Sequence, residues 1–400
     1  MALSNSASIQ NFLVAANDTS RVSGLTHTYY KYPARLSPTL VREAIEAFTD
    51  PGDWILDPFV GGGTTLVEAR ALGRSGVGAD SNELAIFVSK VKTSPLTIRE
   101  VNQAHGIAFD LVETGKLGLE YSRPWSWIEA GYLKNLDSST VWRVRKQIEI
   151  ALDRLGGIRN RRLQMFLRCA LLRTAQWALD NRRATPSVHQ FRQRFFESVL
   201  EMTEGMSELT RSERNSIRYS ELTQPVETHL LHARADQLEK DPKIDQLPSP
   251  KLVITSPPYP GVHVLYHRWQ IHGRKETSAP YWIANCLDGH GGSHYTLGHR
   301  EEIGLRKYFL NLEAAFRSVV AILDPGTVVV QVVAFSEPSW QLPRYLDVMA
   351  DVGLIEMTLP SRPETEDGRL WRAVPGRRWY ATQKGEISSS RELILLHTAN

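Results

Sequence analysis

Trp54-Ile55-Leu56-Asp57-Pro58-Phe59-Val60-Gly61-Gly62-Gly63-Thr64-Thr65 is the stretch from which the fold is read. An apolar run ends in an acid and three glycines turn the chain. Residues 64–73 then follow with helical periodicity, a threonine near the start and a glycine at the end. Strand, glycine turn and helix, in that order, make the first unit of a Rossmann-like nucleotide site, where glycines let a ligand approach the backbone. A second strand, Ser75-Gly76-Val77-Gly78-Ala79-Asp80, ends in another acid about 20 residues on, the place of a ribose-binding carboxylate. No lysine follows the glycines, as a phosphate loop requires. Leu66 stands where a dinucleotide fingerprint has its third glycine. Asp57 is expected at the mouth of the turn, where its charge repels pyrophosphate and attracts a sulfonium. The charge sign favours S-adenosylmethionine over NAD or ATP.

Further along, Lys251-Leu252-Val253-Ile254 reads as a buried strand that runs into Thr255-Ser256-Pro257-Pro258-Tyr259. Prolines cannot continue a ladder, and each fixes its own φ and restricts its predecessor, so the strand ends on a rigid platform. That platform offers a serine hydroxyl, proline carbonyls and an aromatic ring, which suit a planar ring bearing an amino group. An ordinary proline-rich turn is the alternative for the pentapeptide taken alone.

Together these motifs resemble the S-adenosylmethionine-dependent amino-methylating DNA methyltransferases, which act on cytosine N4 or adenine N6. DPFVGGGTT is similar to their cofactor motif and TSPPY to their catalytic motif. By that resemblance Asp57, Phe59, Gly61, Gly63, Thr64 and Thr65 form the cofactor turn, Asp80 and Ser81 hold the ribose, and Asp236 in HARADQL reads the adenine. Tyr30, Lys31 and Pro33, within residues 27–36, resemble the segment that closes over the methionine end. Ser256, Pro257, Pro258 and Tyr259 are the implied catalytic set. Serine at the first position is the form usual in cytosine-N4 enzymes. The implied reaction is direct in-line methyl transfer to the exocyclic N4 of a flipped cytosine in double-stranded DNA. A cognate restriction endonuclease is the partner such an enzyme admits.

The 400 residues are 42% hydrophobic, enough for one large core or two modest ones. No run is long enough for a membrane span and no signal pattern opens the chain, so a soluble cytoplasmic protein is expected. Cys169 and Cys286 sit in unrelated contexts, which suggests neither disulfide framework nor zinc cluster. Neither follows a proline, which argues against carbon methylation through a thiolate. No metal site is expected, although His263, His267, His272 and the 288–294 run hold several histidines; a glycine-hinged loop closing over DNA is the preferred reading.

Net charge is +3, but residues 151–200 hold ten arginines, no lysine and three acids. Phe166, Trp177, Phe191, Phe195 and Phe196 interleave with them. The cluster, with Arg161, Arg162, Arg182 and Arg183 as candidates, reads as a surface tracking a phosphate backbone; a helical bundle with a solvated basic face is the alternative. His263, Arg377 and Arg378 are further candidates for DNA contact, the last two beside Trp379 and Tyr380.

The organisation expected is a loose leader over 1–22, a cofactor half over 23–95, a helical insertion over 96–225 and a catalytic half over 226–400. Seven strands with intervening helices fit an α/β, Rossmann-like methyltransferase fold with a mostly parallel sheet, the last two strands making an antiparallel edge pair. The recognition element is left among the insertion, 260–304 and 360–390, and the oligomeric state is not legible. Adenine-N6 methylation, RNA amino-methylation and a non-catalytic DNA-binding module are the competing functions.

Overall fold

The computed structural model describes residues 7–32, 35–114, 124–260, 268–273, 275–289, 296–298, 302–359, 365–373 and 391–400. In chain order its elements begin with α1 (Ala7–Ala16), α2 (Pro38–Phe48), β1 (Trp54–Asp57), α3 (Thr64–Ala71), β2 (Ser75–Asp80) and α4 (Glu83–Lys92). Five helices follow: α5 (Ile98–Thr114), α6 (Trp125–Glu129), α7 (Trp142–Gly156), α8 (Arg161–Leu179) and α9 (Val188–Tyr219). Then come β3 (Thr228–His232), β4 (Leu252–Thr255), β5 (Trp269–Ile271), β6 (Lys275–Thr277), α10 (Ala279–Ala284) and α11 (Glu302–Val320). The chain ends with β7 (Val328–Val333), α12 (Pro338–Asp351), β8 (Leu354–Glu356), β9 (Leu370–Ala373) and β10 (Arg391–Ala399).

Side-chain alternation builds the sheet and assigns its faces. Leu56, Val253, Val329, Val333, Leu393 and Leu395 pack against α11 and α12. Their neighbours Ile55, Leu252, Ile254, Val330, Val332, Ile394 and Leu396 pack with α1 and α2 on the other face. Strand order is β3-β2-β1-β4-β7-β10-β8, with β9 also pairing to β10. The pairs from β3 to β7 are parallel, whereas β10 runs antiparallel to β7, β8 and β9. This is the Rossmann-like methyltransferase arrangement, and its order reverses between β1 and β4. Ligands of open α/β sheets bind at such a switch point, outside the carboxyl ends of the strands.

Three features depart from the sequence reading. Eight strands, not seven, form the sheet, because β9 arises within a segment left as a loop. Residues 7–16 are a helix rather than part of a loose leader. The Ser/Asn/Ala composition hides the helical spacing of Ile9, Phe12, Leu13 and Ala16, all of them buried against α2. Helices α5 to α9 lie between β2 and β3, and they are packed into the cofactor half. Leu163, Phe166, Leu167 and Leu171 of α8 share one core with Val67 of α3 and Leu84 and Val88 of α4. Arg70 of α3 pairs with Glu213 of α9 at 2.8 Å, fastening the insertion to the cofactor helix.

Candidate active site

Glycine geometry explains the turn after β1. Gly61 and Gly63 have φ of +45° and +75°, the left-handed region, and Gly63 caps α3. A Cβ on Gly63 would lie 2.6 Å from Ser89 Oγ, and one on Gly62 would lie 3.0 Å from Tyr32 Cβ. The space cleared by these glycines is therefore taken by α4 and by the segment before α2. Ser89 Oγ donates to the Gly61 carbonyl at 3.1 Å, and Lys92 Nζ donates to the Gly62 carbonyl at 2.6 Å. Lys92 is fully buried, and burial pushes its amine down to about 7. Leu66, the residue that breaks the dinucleotide fingerprint, packs over Gly76 and Gly78 of β2. A Cβ on either glycine would approach its methyl groups to 2.7–2.8 Å.

The two strand-end acids are engaged by the loops themselves. Asp57 is only 2% exposed and lies beneath the turn, not at its mouth as expected. It accepts from Thr65 Oγ1 at 2.7 Å, Thr255 Oγ1 at 3.0 Å and the Phe59 amide at 3.2 Å. The two threonine hydroxyls draw it inward, and it thereby bridges the cofactor turn to the head of the Ser-Pro-Pro-Tyr motif. Asp80 accepts from the Gly61 amide at 2.9 Å and the Asn82 amide at 2.8 Å. Burial raises both carboxyls to about 6 against these hydrogen bonds. Ser81 accepts from His232 Nε2 through its carbonyl at 3.1 Å. Thr64 is buried at the first turn of α3.

The segment before α2 differs in detail from the expectation. Tyr30 does not face the turn: it is 1% exposed, and its hydroxyl accepts from Trp269 Nε1 at 3.1 Å within the helical core. Tyr32, two residues on, is the ring that covers Gly61 and Gly62. The Tyr32 hydroxyl accepts from Asn82 Nδ2 at 3.2 Å, and Asn82 Oδ1 in turn caps α4 and accepts from Tyr281. Tyr32, Asn82, Ser89 and Lys92 were thus missed from the sequence. A tyrosine before proline and an asparagine two residues after the strand-end acid were the available signals. Lys31 is held by reciprocal backbone bonds with the Gln176 amide of α8. Asp236 is clasped by Arg234 through two bonds of 2.8–2.9 Å, which hold its carboxyl below the usual range. Pro33 lies outside the described residues.

At the end of β4, Ser256 Oγ lies 3.0 Å from the Val332 carbonyl, to which it can donate, and 3.2 Å from the Tyr259 hydroxyl. Tyr259 is buried at 8% exposure, and its hydroxyl donates to Glu392 Oε1 at 2.9 Å. Pro257 is buried and Pro258 half-buried. Among the described residues no backbone donor takes the Pro257 carbonyl.

The arginine cluster is largely spent within the protein. Arg162 is bidentate to Glu100 at 2.7–2.8 Å. Although burial opposes the charge, bonds from Thr97, Asn160 and Arg162 hold Glu100 down to about 2. Arg173 and Arg194 share Glu201, Arg192 donates to Gln147, and Arg168 donates to the Ile283 carbonyl. Arg182 stacks on Trp177 at 4.5 Å, leaving Arg159, Arg161 and Arg183 exposed. Arg161 and Arg183 lie at opposite ends of the 19-residue α8, a separation of roughly 28 Å at 1.5 Å per residue. They do not form one patch. Phe166, Phe191 and Phe195 are core residues. A cavity of about 540 Å³ is lined by Lys90, Arg159, Arg161, Arg168, Glu83 and His232. His263, Arg377 and Arg378 lie outside the described residues.

Residues 7–90 match the family model of the N6/N4 methyltransferases, described as DNA methylase. Type II methyltransferase M.MvaI of Kocuria varians is 41% identical over 83 residues, 20% of this chain and 18% of that protein. Type II methyltransferase M2.DpnII of Streptococcus pneumoniae is 47% identical over 60 residues, 15% and 22% of the two chains. Type II methyltransferase M.BsoBI of Geobacillus stearothermophilus is 44% identical over 91 residues, 22% and 18%. This chain therefore spans about a fifth of the length of these relatives. The solved rRNA methyltransferase aviRa of Streptomyces viridochromogenes aligns over 99% of this chain and 96% of that one, at a TM-score of 0.36 and 10% identity. That score bears no weight, and the fold rests on the strand order. The similarity to the amino-directed (N6/N4) DNA methyltransferases is carried by residues 7–90, and S-adenosylmethionine is the methyl donor that this similarity implies. No described helix is long and apolar enough to cross a membrane.

Proposed function

We propose that this protein methylates the exocyclic N4 of a cytosine in double-stranded DNA. The observation that carries the reading is the Asp57 bridge. One buried carboxylate joins Thr65 of the cofactor turn to Thr255 at the head of Ser-Pro-Pro-Tyr, so both loops open on one crevice between β1 and β4. The residues there suit S-adenosylmethionine: a glycine turn with its carbonyls tied back, a strand-tip carboxylate at Asp80 and no lysine for a phosphate. When bound, the cofactor supplies an electrophilic methyl group on a positively charged sulfur.

Asp80 would accept from ribose hydroxyls and Asp236 from the adenine amine, while Lys31 and Tyr32 border the methionine end. Phe59 and Ser81 flank the turn and the ribose. A cytosine amino nitrogen is a poor nucleophile because its lone pair is delocalised into the ring. Ser256 Oγ and the Pro257 carbonyl accept its two hydrogens, which favours a pyramidal nitrogen with the lone pair directed at the methyl. Positioning and desolvation supply much of the remaining catalysis. Tyr259 and Pro258 wall the base pocket, with the Tyr259 ring as the surface for stacking. A stacked base cannot reach this crevice, so the cytosine is flipped, at a cost of a few kcal/mol. Arg161, Arg182 and Arg183 are the described candidates for phosphate contact, and a cognate restriction endonuclease is the partner this reading admits.

Serine at position 256 favours cytosine over adenine. Incubation with labelled S-adenosylmethionine and plasmid DNA, followed by nucleoside mass spectrometry, should yield N4-methylcytosine. N6-methyladenine would move the target base. Label in RNA alone, or no label, would overturn the proposal.

A further inference from the structure

From half-buried Ser256, a chain of polar groups runs through buried Tyr259, Glu392 and Arg372 onto the antiparallel β9–β10 pair. Ser256 Oγ lies 3.2 Å from the Tyr259 hydroxyl, which lies 2.9 Å from Glu392 Oε1. Glu392 Oε2 is 3.0 Å from Arg372 Nε, an ion pair by distance although that N–H is not aimed squarely at the oxygen. Glu392 and Arg372 face each other in the β10–β9 register, and both are at most 8% exposed.

From this juxtaposition we propose that Glu392 and Arg372 are positioning residues that fix the direction of the hydrogen bonds at Ser256, making it an obligate acceptor toward the substrate. The inference rests on the amino-methylation reading and names what selects an amino group. An ionised carboxylate only accepts and a guanidinium only donates. Glu392 spends one oxygen on Arg372 and the other on Tyr259, so the tyrosine proton points at Glu392. The Tyr259 oxygen is then an acceptor toward Ser256, and the Val332 carbonyl is an acceptor as well. Neither inner neighbour donates to Ser256. Its own proton turns inward to one of them, and its lone pairs are left for a group that donates. An exocyclic amine has N–H groups to give, whereas a ring carbonyl has none. The chain thus selects the amino-bearing base through the polarity of one hydroxyl, set two residues away.

Glu392→Gln tests this at nearly constant shape. An amide has one acceptor and one donor, and Arg372 draws the amide oxygen, so the amide N–H₂ faces Tyr259. The tyrosine proton must then swing to Ser256 and fill the lone pair meant for the substrate. Single-turnover methylation of plasmid DNA should slow about tenfold in E392Q, with the Kd for S-adenosylmethionine within twofold of wild type. Removing the misdirected proton should repair the defect: Y259F/E392Q should match Y259F. Arg372→Met in the E392Q background frees the amide to turn its oxygen to Tyr259, and should also recover the rate.

Wild-type turnover by E392Q would overturn the proposal. So would an equal further loss when E392Q is added to Y259F, since a merely structural role gives additive effects. Should E392Q alone fail to bind cofactor, the comparison of R372M/E392Q with wild type decides, and a slow double variant that still binds cofactor refutes the idea. Wild-type protein that methylates no DNA overturns the amino-methylation reading itself, and the inference with it.

Discussion

The crevice at the strand tips and the arginine-rich helix α8 both concentrate charge, and they handle it in opposite ways. Asp57 and Asp80 are held by threonine hydroxyls and backbone amides, neutral donors that bring no countercharge to either carboxyl. Along α8 and α9 the guanidiniums of Arg162, Arg173 and Arg194 meet carboxylates of the protein itself, so their charges are cancelled before any partner arrives. Charge held by dipoles remains available, whereas charge held by countercharge is structural. Counting arginines therefore overstates a binding surface in a way that counting strand-end acids does not.

The largest effect that would break this contrast is at the tip. Ser256→Ala should lower kcat by about 100-fold, by loss of one acceptor at the reacting nitrogen, with cofactor Kd unchanged in a titration; wild-type kcat would remove Ser256 from the site. Asp80→Ala should act in reverse order, weakening S-adenosylmethionine binding by about tenfold or more, as expected for a lost charge-assisted bond, before it changes kcat at saturation. Unaltered affinity would show that the ribose lies elsewhere.

On the other side of the comparison, Arg162→Met should destabilise the fold by about 1–2 kcal/mol, because Glu100 is left buried without its cation while water screens the exposed arginine. DNA affinity should hardly move. Arg161→Ala should leave the melting temperature alone and reduce the salt dependence of DNA binding by about one counterion. Swapped outcomes for the two neighbours would invert the assignment of α8.

A smaller, graded test uses pH. Asp57 and Asp80 have folded values raised from 3.8 to about 6, so the folded state prefers their protonated forms. Their contribution to stability therefore falls as pH rises from about 4 through 6 and is flat above. A sulfonium and ribose hydroxyls prefer the ionised carboxylates, so cofactor affinity should rise severalfold between pH 5 and 7 and level off. S-adenosylhomocysteine, which lacks the sulfonium charge, should show a weaker rise. Equal slopes for the two ligands would assign the effect to Asp80 alone.

Much of the fold could be read from the chain because local rules produce it. The apolar runs of β7 and β10, the helical spacing of α3 and the glycines at 61 and 63 each require only neighbouring residues. The same holds for the pairing of DPFVGGGTT with TSPPY, since parallel strands of an α/β sheet present their ends on one edge. What escaped reading depended on contacts distant in sequence. Tyr30 and Tyr32 are two residues apart and chemically alike, yet Trp269 draws one into the core and Asn82 holds the other over the glycines. Nothing near Arg162 in sequence announces Glu100, and nothing near Tyr259 announces Glu392.

The sequence by itself determined a strand–turn–helix cofactor unit, a second acid at the next strand tip and a proline-braced platform. Each of these follows from backbone preferences and side-chain chemistry over a few residues. Only the tertiary structure decided that Asp57 lies beneath the turn and joins it to Thr255, that the arginines of α8 are mostly spent, and that a carboxylate on β10 meets the Tyr259 hydroxyl. The physical reason is that hydrogen-bond direction and charge cancellation depend on which groups meet, and the meeting of Asp57 with Thr255 alone spans 198 positions of chain.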